Sequence, residues 1–216
     1  MSTLILLRHG QSQWNLENKF TGWTDVPLTP SGEQDAASAA KVLGGYKLDL
    51  AFTSRLQRAR RTLEIMLGAL GQNPPTEYDS ALNERHYGDL QGLDKAETAA
   101  KYGVDQVKLW RRSYTTRPPN GESMEDCARR TLPFFLQYVF PHVIEGKTVI
   151  ISAHGNSLRP IIKQLRGLSD EQAAALEFEF STPYVFRFEG EKVIGDEMLE
   201  VPGLLVKGGT GAIGAK

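Results

Sequence analysis

The chain has 216 residues, and its 25 Lys and Arg nearly balance 26 Asp and Glu to give a formal net charge of -1. A near-neutral chain that is 40% hydrophobic has enough apolar residues for one packed domain, and it has no general attraction for nucleic acid or an anionic membrane. The single cysteine, Cys127, excludes an internal disulfide, favours a reducing compartment, and is expected to be buried on a helix. The apolar run before Arg8 is too short for a signal peptide, so we expect a soluble cytoplasmic protein with no membrane span.

Two stretches of the sequence predict buried strands that each end in a histidine. Residues 4–10 read Leu-Ile-Leu-Leu-Arg-His-Gly, and residues 149–155 read Val-Ile-Ile-Ser-Ala-His-Gly. An uninterrupted aliphatic run is typical of a central parallel strand whose two faces are covered by helices. Ligands bind at the carboxyl edge of such sheets, so two neighbouring strands of this kind would bring His9 and His154 to one crevice.

The first half of the chain alternates predicted strands and helices. In order, we expect a loop over 11–28, a helix capped by Thr29 and ended by Gly44-Gly45, a strand over 48–52, and a helix capped by Thr53-Ser54 and ended by Gly71. This alternation predicts an α/β fold of three layers, in which helices flank a mostly parallel central sheet.

The second half predicts a less regular region followed by more strands and helices. We expect short helices near 94–102 and 105–112 and a long helix opened by Ser123 and Asp126, bent at Pro133 and ended or kinked again at Pro141. The second histidine strand, helices over 158–165 and from Ser169, and a hairpin pairing 184–188 with 193–198 should follow. We expect a single catalytic domain over residues 1–200. It would include a small helical cap at about 84–122, and residues 201–216 would form a flexible, glycine-rich tail.

Several side chains near the two histidines are suited to binding a phosphoryl group. Arg8 directly precedes His9, and its planar guanidinium can hold two phosphate oxygens. Arg58 is expected on the first turn of a helix that follows a strand, where free backbone N–H groups also favour anions. Asn15 and Asn156 would supply neutral donors. Gly10 and Gly155 have no Cβ, so the backbone there could approach a bound anion closely.

These residue types favour phosphoryl transfer through a histidine. One neutral histidine can carry the phosphoryl group, and the other, if protonated, could stabilise the transition state. Transfer to a hydroxyl also needs a group that takes and returns a proton, and Glu84 is a candidate if its pKa is raised, which the sequence leaves open. No histidine pair has the spacing of a zinc motif and no acidic cluster suits magnesium, so we expect no metal.

Four segments closely resemble the cofactor-dependent phosphoglycerate mutases of the histidine phosphatase superfamily. They are Arg-His-Gly-Gln-Ser-Gln-Trp-Asn at 8–15, Phe-Thr-Gly-Trp at 20–23, Asn-Glu-Arg-His-Tyr-Gly at 83–88 and Ala-His-Gly-Asn-Ser at 153–157. The resemblance covers about residues 4–190. Arg-His-Gly alone indicates only the superfamily, which includes many phosphatases, and the other segments are more specific to the mutases.

The resemblance implies roles for particular residues, both inside and outside these segments. His9 would be the phosphorylated nucleophile and Glu84 the proton donor and acceptor, with Arg8, Arg58 and His154 around the transferred group. Further substrate contacts would come from Gly10, Gln11, Ser12, Gln13, Trp14, Asn15, Thr21, Gly22, Arg85, His86, Tyr87, Lys95, Arg111, Arg112, Gly155 and Asn156.

The resemblance also implies a reaction and its partners. The implied reaction interconverts 3-phosphoglycerate and 2-phosphoglycerate, with 2,3-bisphosphoglycerate as primer and intermediate and without a metal. The expected partners are therefore small phosphorylated acids, with no nucleic acid and no membrane. Such proteins often form oligomers, so we expect a homo-oligomer, with a dimer favoured.

The sequence departs from the family pattern at two places. The segment between Arg112 and Glu122 lacks an insertion that many members carry, and Gln11 replaces a usual glutamate.

Two rival functions also stay open. A phosphatase would use the same histidine with water as the acceptor of the phosphoryl group, and a catalytically silent module would only bind phosphate. Lys95 and the Arg111–Arg112 pair favour the mutase, because a bisphosphate intermediate has a second anionic end to hold. We also expect the tail to close over bound substrate and exclude water.

Overall fold

The computed structural model describes residues 1–206, which fold around one six-stranded sheet with the strand order β3-β2-β4-β1-β5-β6. The strands are β1 (Ser2–Arg8), β2 (Leu50–Thr53), β3 (Thr76–Tyr78), β4 (Thr148–Ala153), β5 (Pro183–Glu189) and β6 (Lys192–Met198). β1 to β4 run parallel, whereas β5 and β6 form an antiparallel hairpin at one edge. The prediction of a mostly parallel sheet in an α/β fold is confirmed.

Helices cover both faces of the sheet. They are α1 (Gln13–Leu16), α2 (Pro30–Leu43), α3 (Gln57–Leu70), α4 (Lys95–Tyr102), α5 (Val104–Arg112), α6 (Met124–Phe134), α7 (Phe140–Ile144), α8 (Gly155–Arg166) and α9 (Asp170–Ala175). Alternate residues of β1 face opposite layers: Leu4 and Leu6 pack with α6 to α8, and Ile5 and Leu7 pack with α2 and α3. The aliphatic run of β1 is therefore buried on both faces, as a central strand requires.

The register of β1 against β4 places the two histidines next to each other. Arg8 is opposite Ala153 in the parallel pair, so His9 and His154 both follow the last paired position. The backbone N–H of His9 also donates to the carbonyl of Ala153 at 3.0 Å. The prediction that these strands are neighbours is confirmed, and both side chains leave the sheet at its carboxyl edge.

Three local expectations need correction. Thr53 belongs to β2, and Ser54 does not cap a helix, because the chain bends at Arg55 and Leu56 before α3 begins at Gln57 with Leu56 at the N-cap position. The expected loop over 11–28 contains the short helix α1, which a capping box at Ser12 opens. The expected bend in the long helix is a π-helical turn over Phe135–Val139, between α6 and α7.

The region between β3 and α6 has its own small apolar cluster, which lies beside the carboxyl edge of the sheet. Phe20 from the loop after β1 packs with Leu90, Ala99 of α4, and Val107 and Trp110 of α5. These contacts hold α4 and α5 beside that edge of the sheet.

The first residues after β6 are held against the domain. Val201 is buried, and the backbone N–H groups of Leu205 and Val206 donate to the carboxylate of the fully buried Asp35 at 2.7 and 3.0 Å. The rest of the expected flexible tail, residues 207–216, lies outside the described residues. Within residues 1–206, none of the helices has the length and apolar character needed to span a membrane.

Candidate active site

A cavity of about 230 Å³ opens at the carboxyl edge of the sheet, beside His9. Its wall is formed by Arg8, His9, Gln11, Asn15, Lys19, Phe20, Thr21, Gly22, Arg58, Glu84, Tyr87, Lys95, Arg111, Arg112, Gly155, Asn156, Arg159, Phe180 and Val206. Among these described residues there are seven Lys or Arg side chains and one carboxylate, that of Glu84. The cavity is therefore built for a small, multiply charged anion.

His9 is held as a neutral imidazole. Its Nδ1 lies 2.6 Å from the carbonyl oxygen of Gly10, and because a carbonyl can only accept, Nδ1 carries the proton. Burial, and then the nearby Arg58 and Arg8 guanidiniums, hold the pKa of His9 well below its ordinary value. The Nε2 lone pair is consequently free to attack a phosphorus atom at neutral pH.

His154 is fully buried next to His9 rather than on the cavity wall. The two ring centroids are 4.9 Å apart, and His154 Nε2 lies 2.8 Å from the hydroxyl of Ser54. That hydroxyl accepts from the Leu56 N–H at 3.2 Å and still has a proton and a second lone pair, so it can donate to Nε2 or accept from it. In the tautomer in which the hydroxyl donates, His154 carries its own proton on Nδ1, which is buried and has no partner among the described residues.

The protonated form considered for the second histidine is disfavoured in this structure. Burial, followed by the charges of Arg58 and other nearby groups, holds the pKa of His154 well below its ordinary value. In the tautomer with its proton on Nδ1, His154 offers a phosphoryl group beside His9 a neutral N–H donor instead of a full positive charge.

Two buried arginines flank the histidines. Arg8 donates from Nη1 to the carbonyl of Phe178, and its guanidinium lies 4.0 Å from the centre of the Phe180 ring. Arg58 sits on the first turn of α3 as predicted, and it donates to the carbonyls of Gly22 and Thr24 at 2.7 and 3.0 Å. Burial lowers the pKa of each guanidinium to about 10, so both remain charged at neutral pH.

Glu84 brings the carboxylate to the cavity from an extended loop. Its Oε1 accepts from the backbone N–H groups of Arg85 and Asn156 at 2.8 and 3.2 Å. Its backbone carbonyl accepts from Trp23 Nε1 and from Arg130 Nη2 at 2.5 and 2.8 Å. Four hydrogen bonds thus hold Glu84, two at its carboxylate and two at its backbone carbonyl, which keeps the carboxylate in place for proton transfer.

Neutral donors complete the wall. The Asn15 side-chain oxygen accepts from the N–H and hydroxyl of Ser12 at 3.1 and 2.8 Å, which leaves the NH2 group of Asn15 for a ligand. The Thr21 hydroxyl is buried without a partner among the described residues. Gln11, the residue that departs from the family pattern, is on the cavity wall. Its side-chain oxygen accepts from the Thr29 hydroxyl at 3.1 Å.

A second group of cations lies further out on the same wall. Lys95 begins α4, and Arg111 and Arg112 end α5. Burial lowers the pKa of Lys95 to about 8, with Tyr87 opposing the shift and Arg111 adding to it. Arg112 forms an ion pair with Glu177 at 2.9 Å. The structure thus brings all three outer cations to one cavity with His9.

Six expected contact residues lie behind the wall. Ser12 caps α1, Gln13 bonds to Glu17, and Trp14 packs near Gly92. The Arg85 guanidinium is fully buried, 4.5 Å from the centre of the Tyr87 ring, and donates to the Arg111 carbonyl at 3.3 Å. His86 accepts from the Gly88 N–H and packs on Trp23.

The sixth, Gly10, packs closely against α2. A Cβ at Gly10 would lie 2.4 Å from the carbonyl oxygen of Gly32, so this contact itself requires glycine. Gly155 does keep space in the site, because a Cβ there would lie 3.2 Å from Arg159 Nη1.

Sequence reasoning missed Lys19, Phe20, Arg159, Phe180 and Val206 as wall residues. Arg159 had a usable signal, since it lies one helical turn after Gly155 and so shares its face of α8. Phe180 had none, because it lies in the irregular segment between α9 and β5. Among the described residues there is no group of three or more His, Cys, Asp or Glu side chains that could hold a metal ion.

Comparison with known proteins agrees with this geometry. The sequence pattern of the histidine phosphatase superfamily (branch 1) matches residues 4–197. The chain therefore belongs to that superfamily. The 2,3-bisphosphoglycerate-dependent phosphoglycerate mutase 2 of Gloeobacter violaceus is 50% identical over 192 residues, which cover 88% of each chain.

Solved structures share the fold at lower identity. YhfR of Bacillus stearothermophilus superposes with a TM-score of 0.79 at 29% identity, covering 95% of this chain and 98% of its own. A mycobacterial glucosyl-3-phosphoglycerate phosphatase superposes with a TM-score of 0.78 at 28% identity, covering 92% and 97%. The neighbours thus include a protein named as a phosphatase, whereas the relative at 50% identity is named as a mutase.

Proposed function

We propose that this protein is a 2,3-bisphosphoglycerate-dependent phosphoglycerate mutase, which interconverts 3-phosphoglycerate and 2-phosphoglycerate through a phosphohistidine. The observation that carries the proposal is that the outer cations Lys95, Arg111 and Arg112 line the same cavity as His9. The bisphosphate intermediate has two phosphates of about -1.5 to -2 charge each, and a carboxylate. Only one phosphate can be at His9 at a time, so the other end needs cations at a distance.

The first half of the reaction moves a phosphoryl group from His9 to the substrate. The 2-hydroxyl oxygen of 3-phosphoglycerate attacks the phosphorus, the bond to His9 Nε2 breaks, and Glu84 takes the hydroxyl proton. Arg8 and Arg58 remain charged beside the transferred group, and the Nδ1–H of His154 donates to it. Electrostatic stabilisation of this kind supplies most of the catalysis of phosphoryl transfer.

The second half returns the other phosphoryl group. The bisphosphate reorients so that its 3-phosphate meets the free His9 Nε2, which attacks it, and Glu84 returns its proton to the 3-oxygen. The products are 2-phosphoglycerate and the phosphohistidine enzyme. Free 2,3-bisphosphoglycerate primes His9 when the phosphoryl group is lost, so it acts as primer and intermediate, and no step assigns work to a metal.

The setting of the protein completes the proposal. We assign it to the cytoplasm because phosphoglycerates are small intracellular acids. We favour a homo-oligomer, with a dimer as the first expectation, because the family resemblance implies one. A phosphatase with the same histidine is the second candidate, since a structural neighbour carries that name. It would have no need of cations placed to hold a second phosphate.

The proposal is tested by following both products at once. The purified protein is incubated with 3-phosphoglycerate, a catalytic amount of 2,3-bisphosphoglycerate and excess chelator, and 2-phosphoglycerate and inorganic phosphate are measured together. Rapid formation of 2-phosphoglycerate with little phosphate is expected. Release of phosphate without isomerisation would contradict the mutase assignment and identify a phosphatase.

A further inference from the structure

Arg159 is a buried arginine on the cavity wall to which the mechanism above gives no role. It lies on α8, one turn after Gly155, and only 4% of it is exposed. Burial lowers its pKa, and the charge of Arg112 adds to that shift, so placing a guanidinium here costs free energy. A buried charge retained at such a cost calls for a reason in its contacts.

The contacts of Arg159 join two parts of the site. Its Nη2 and Nε both donate to the carbonyl of Leu176, at 2.7 and 3.2 Å, and its Nη1 donates to the side-chain oxygen of Asn156 at 3.0 Å. The bonds to Leu176 fix the plane of the guanidinium, and that plane directs Nη1 at Asn156. A lysine cannot reproduce this arrangement, because its ammonium has no planar fork.

The bond to Asn156 decides which end of the amide a ligand meets. Because the oxygen of Asn156 faces the guanidinium, its NH2 group is the end left for other partners, and it lies 3.4 Å from the Tyr87 hydroxyl. A rotated amide would present an oxygen, which repels an anion, in place of a donor. The backbone N–H of the same residue bonds to Glu84, so Asn156 also contacts the proton-transfer group.

Gly155 makes this arrangement possible. A Cβ at that position would lie 3.2 Å from Arg159 Nη1 and 3.8 Å from Arg8 Nε, so the two guanidiniums approach the same point. A larger residue would push Arg159 away from Asn156, because 3.2 Å is tighter than ordinary van der Waals contact.

We propose that Arg159 is a positioning residue for phosphoryl transfer, which acts by holding the Asn156 amide with its NH2 group toward the bound anion. The inference rests on the proposed function to the extent that a phosphoryl group must visit His9. It does not require the acceptor to be a phosphoglycerate.

The first test compares Arg159→Lys with Arg166→Lys, which makes the same change on the exposed side of α8. The readouts are the rate and half-saturation of phosphohistidine formation from 2,3-bisphosphoglycerate, with thermal unfolding as a fold control. We expect Arg159→Lys to slow formation about 10- to 100-fold, as a misplaced donor does, with half-saturation changed less than about threefold. Arg166→Lys should leave both values unchanged.

A double-mutant cycle then separates positioning from general support. Asn156→Ala removes the amide, so adding Arg159→Lys to it should slow the reaction little further, whereas independent effects would multiply. Multiplying effects, or an Arg159→Lys rate within about twofold of wild type, would overturn the proposal. Failure of both Arg159→Lys and Arg159→Met to fold would assign Arg159 a structural role and overturn it as well.

This test and the test of function fail in different ways. If wild type forms phosphohistidine but releases phosphate without making 2-phosphoglycerate, the mutase assignment fails and the effect of Arg159 can still be measured. If wild type isomerises and Arg159→Lys is as fast, only the positioning role fails.

Discussion

The Ser54 hydroxyl bonds to Nε2 of His154, although neither residue contacts solvent. We expect the hydroxyl to donate in this bond, which keeps the imidazole proton on Nδ1, where a phosphoryl oxygen can accept it. The sequence could not show this, because a serine between a strand and a helix is typical of an N-cap. The residue that its hydroxyl bonds is 100 positions away in the chain.

Ser54→Ala is predicted to lower kcat about 10-fold or more, because either nitrogen of His154 can then carry the proton. Thr53→Val is the matched control, since it removes a neighbouring buried hydroxyl that bonds to Ser152 and not to His154. Both variants should lower the unfolding temperature, and kcat and thermal unfolding are measured for each. A kcat for Ser54→Ala as high as that of Thr53→Val would contradict the tautomer role.

Lys95 is predicted to give the reaction a basic limit. Its pKa of about 8 means that its charge, and with it affinity for a second anionic group, is lost as the pH rises through 8. The substrate phosphates have their second pKa near 6, so their charge is constant in this range. The value of kcat/KM should therefore fall above about pH 8 in wild type.

The comparison variant for that profile is Lys95→Arg, which keeps its charge to higher pH. It should hold its kcat/KM over the range in which wild type declines, while Lys101→Arg on the same helix should follow wild type. An identical decline in wild type and Lys95→Arg would show that another group sets the limit.

At the scale of elements, the parts that carry chemistry differ in how well the sequence predicts them. The aliphatic runs before His9 and His154 predicted two neighbouring strands because only a central strand buries both faces, and the structure confirms it. The irregular segment before β5 gave no such signal, since it acts through the backbone carbonyls of Leu176 and Phe178. A carbonyl is the same in every residue type, so composition and spacing cannot identify this role.

The segment after β6 is attached to the domain beside the cavity. Asp35 holds Leu205 and Val206, and Val206 reaches the cavity wall, so residues that follow β6 approach the site. Asp35→Asn is predicted to weaken this attachment and let water reach the phosphohistidine. The ratio of isomerisation to phosphate release should fall about 10-fold for each 1.4 kcal/mol of attachment lost.

Deletion of residues 203–216 should lower the same ratio of isomerisation to phosphate release. Asp49→Asn serves as the matched control for Asp35→Asn. Asp49 also accepts a backbone N–H, that of Thr148 at 2.8 Å, and it is not part of the cavity wall. An unchanged ratio in the deletion variant would remove the tail from the mechanism.

At the scale of the whole molecule, charge is distributed very unevenly. A chain with a formal net charge of -1 gathers seven cationic side chains and one carboxylate around one small cavity. The net charge of the chain therefore gives no indication of a polyanion site. The cations come together because β1, α3, α4, α5 and α8 meet at one edge of the sheet. The family resemblance named most of these residues, whereas their burial and hydrogen bonds come from the fold.

In the proposed mechanism, His9 carries a phosphoryl group from one phosphoglycerate to another. To observe this transfer, the protein is trapped after brief exposure to radiolabelled 2,3-bisphosphoglycerate, the labelled residue is mapped, and the label is chased with unlabelled 3-phosphoglycerate. The predicted result is label on His9 that passes to phosphoglycerates faster than to water, with no label in His9→Gln. Label on another residue, or label that leaves only as inorganic phosphate during the chase, would contradict the claim.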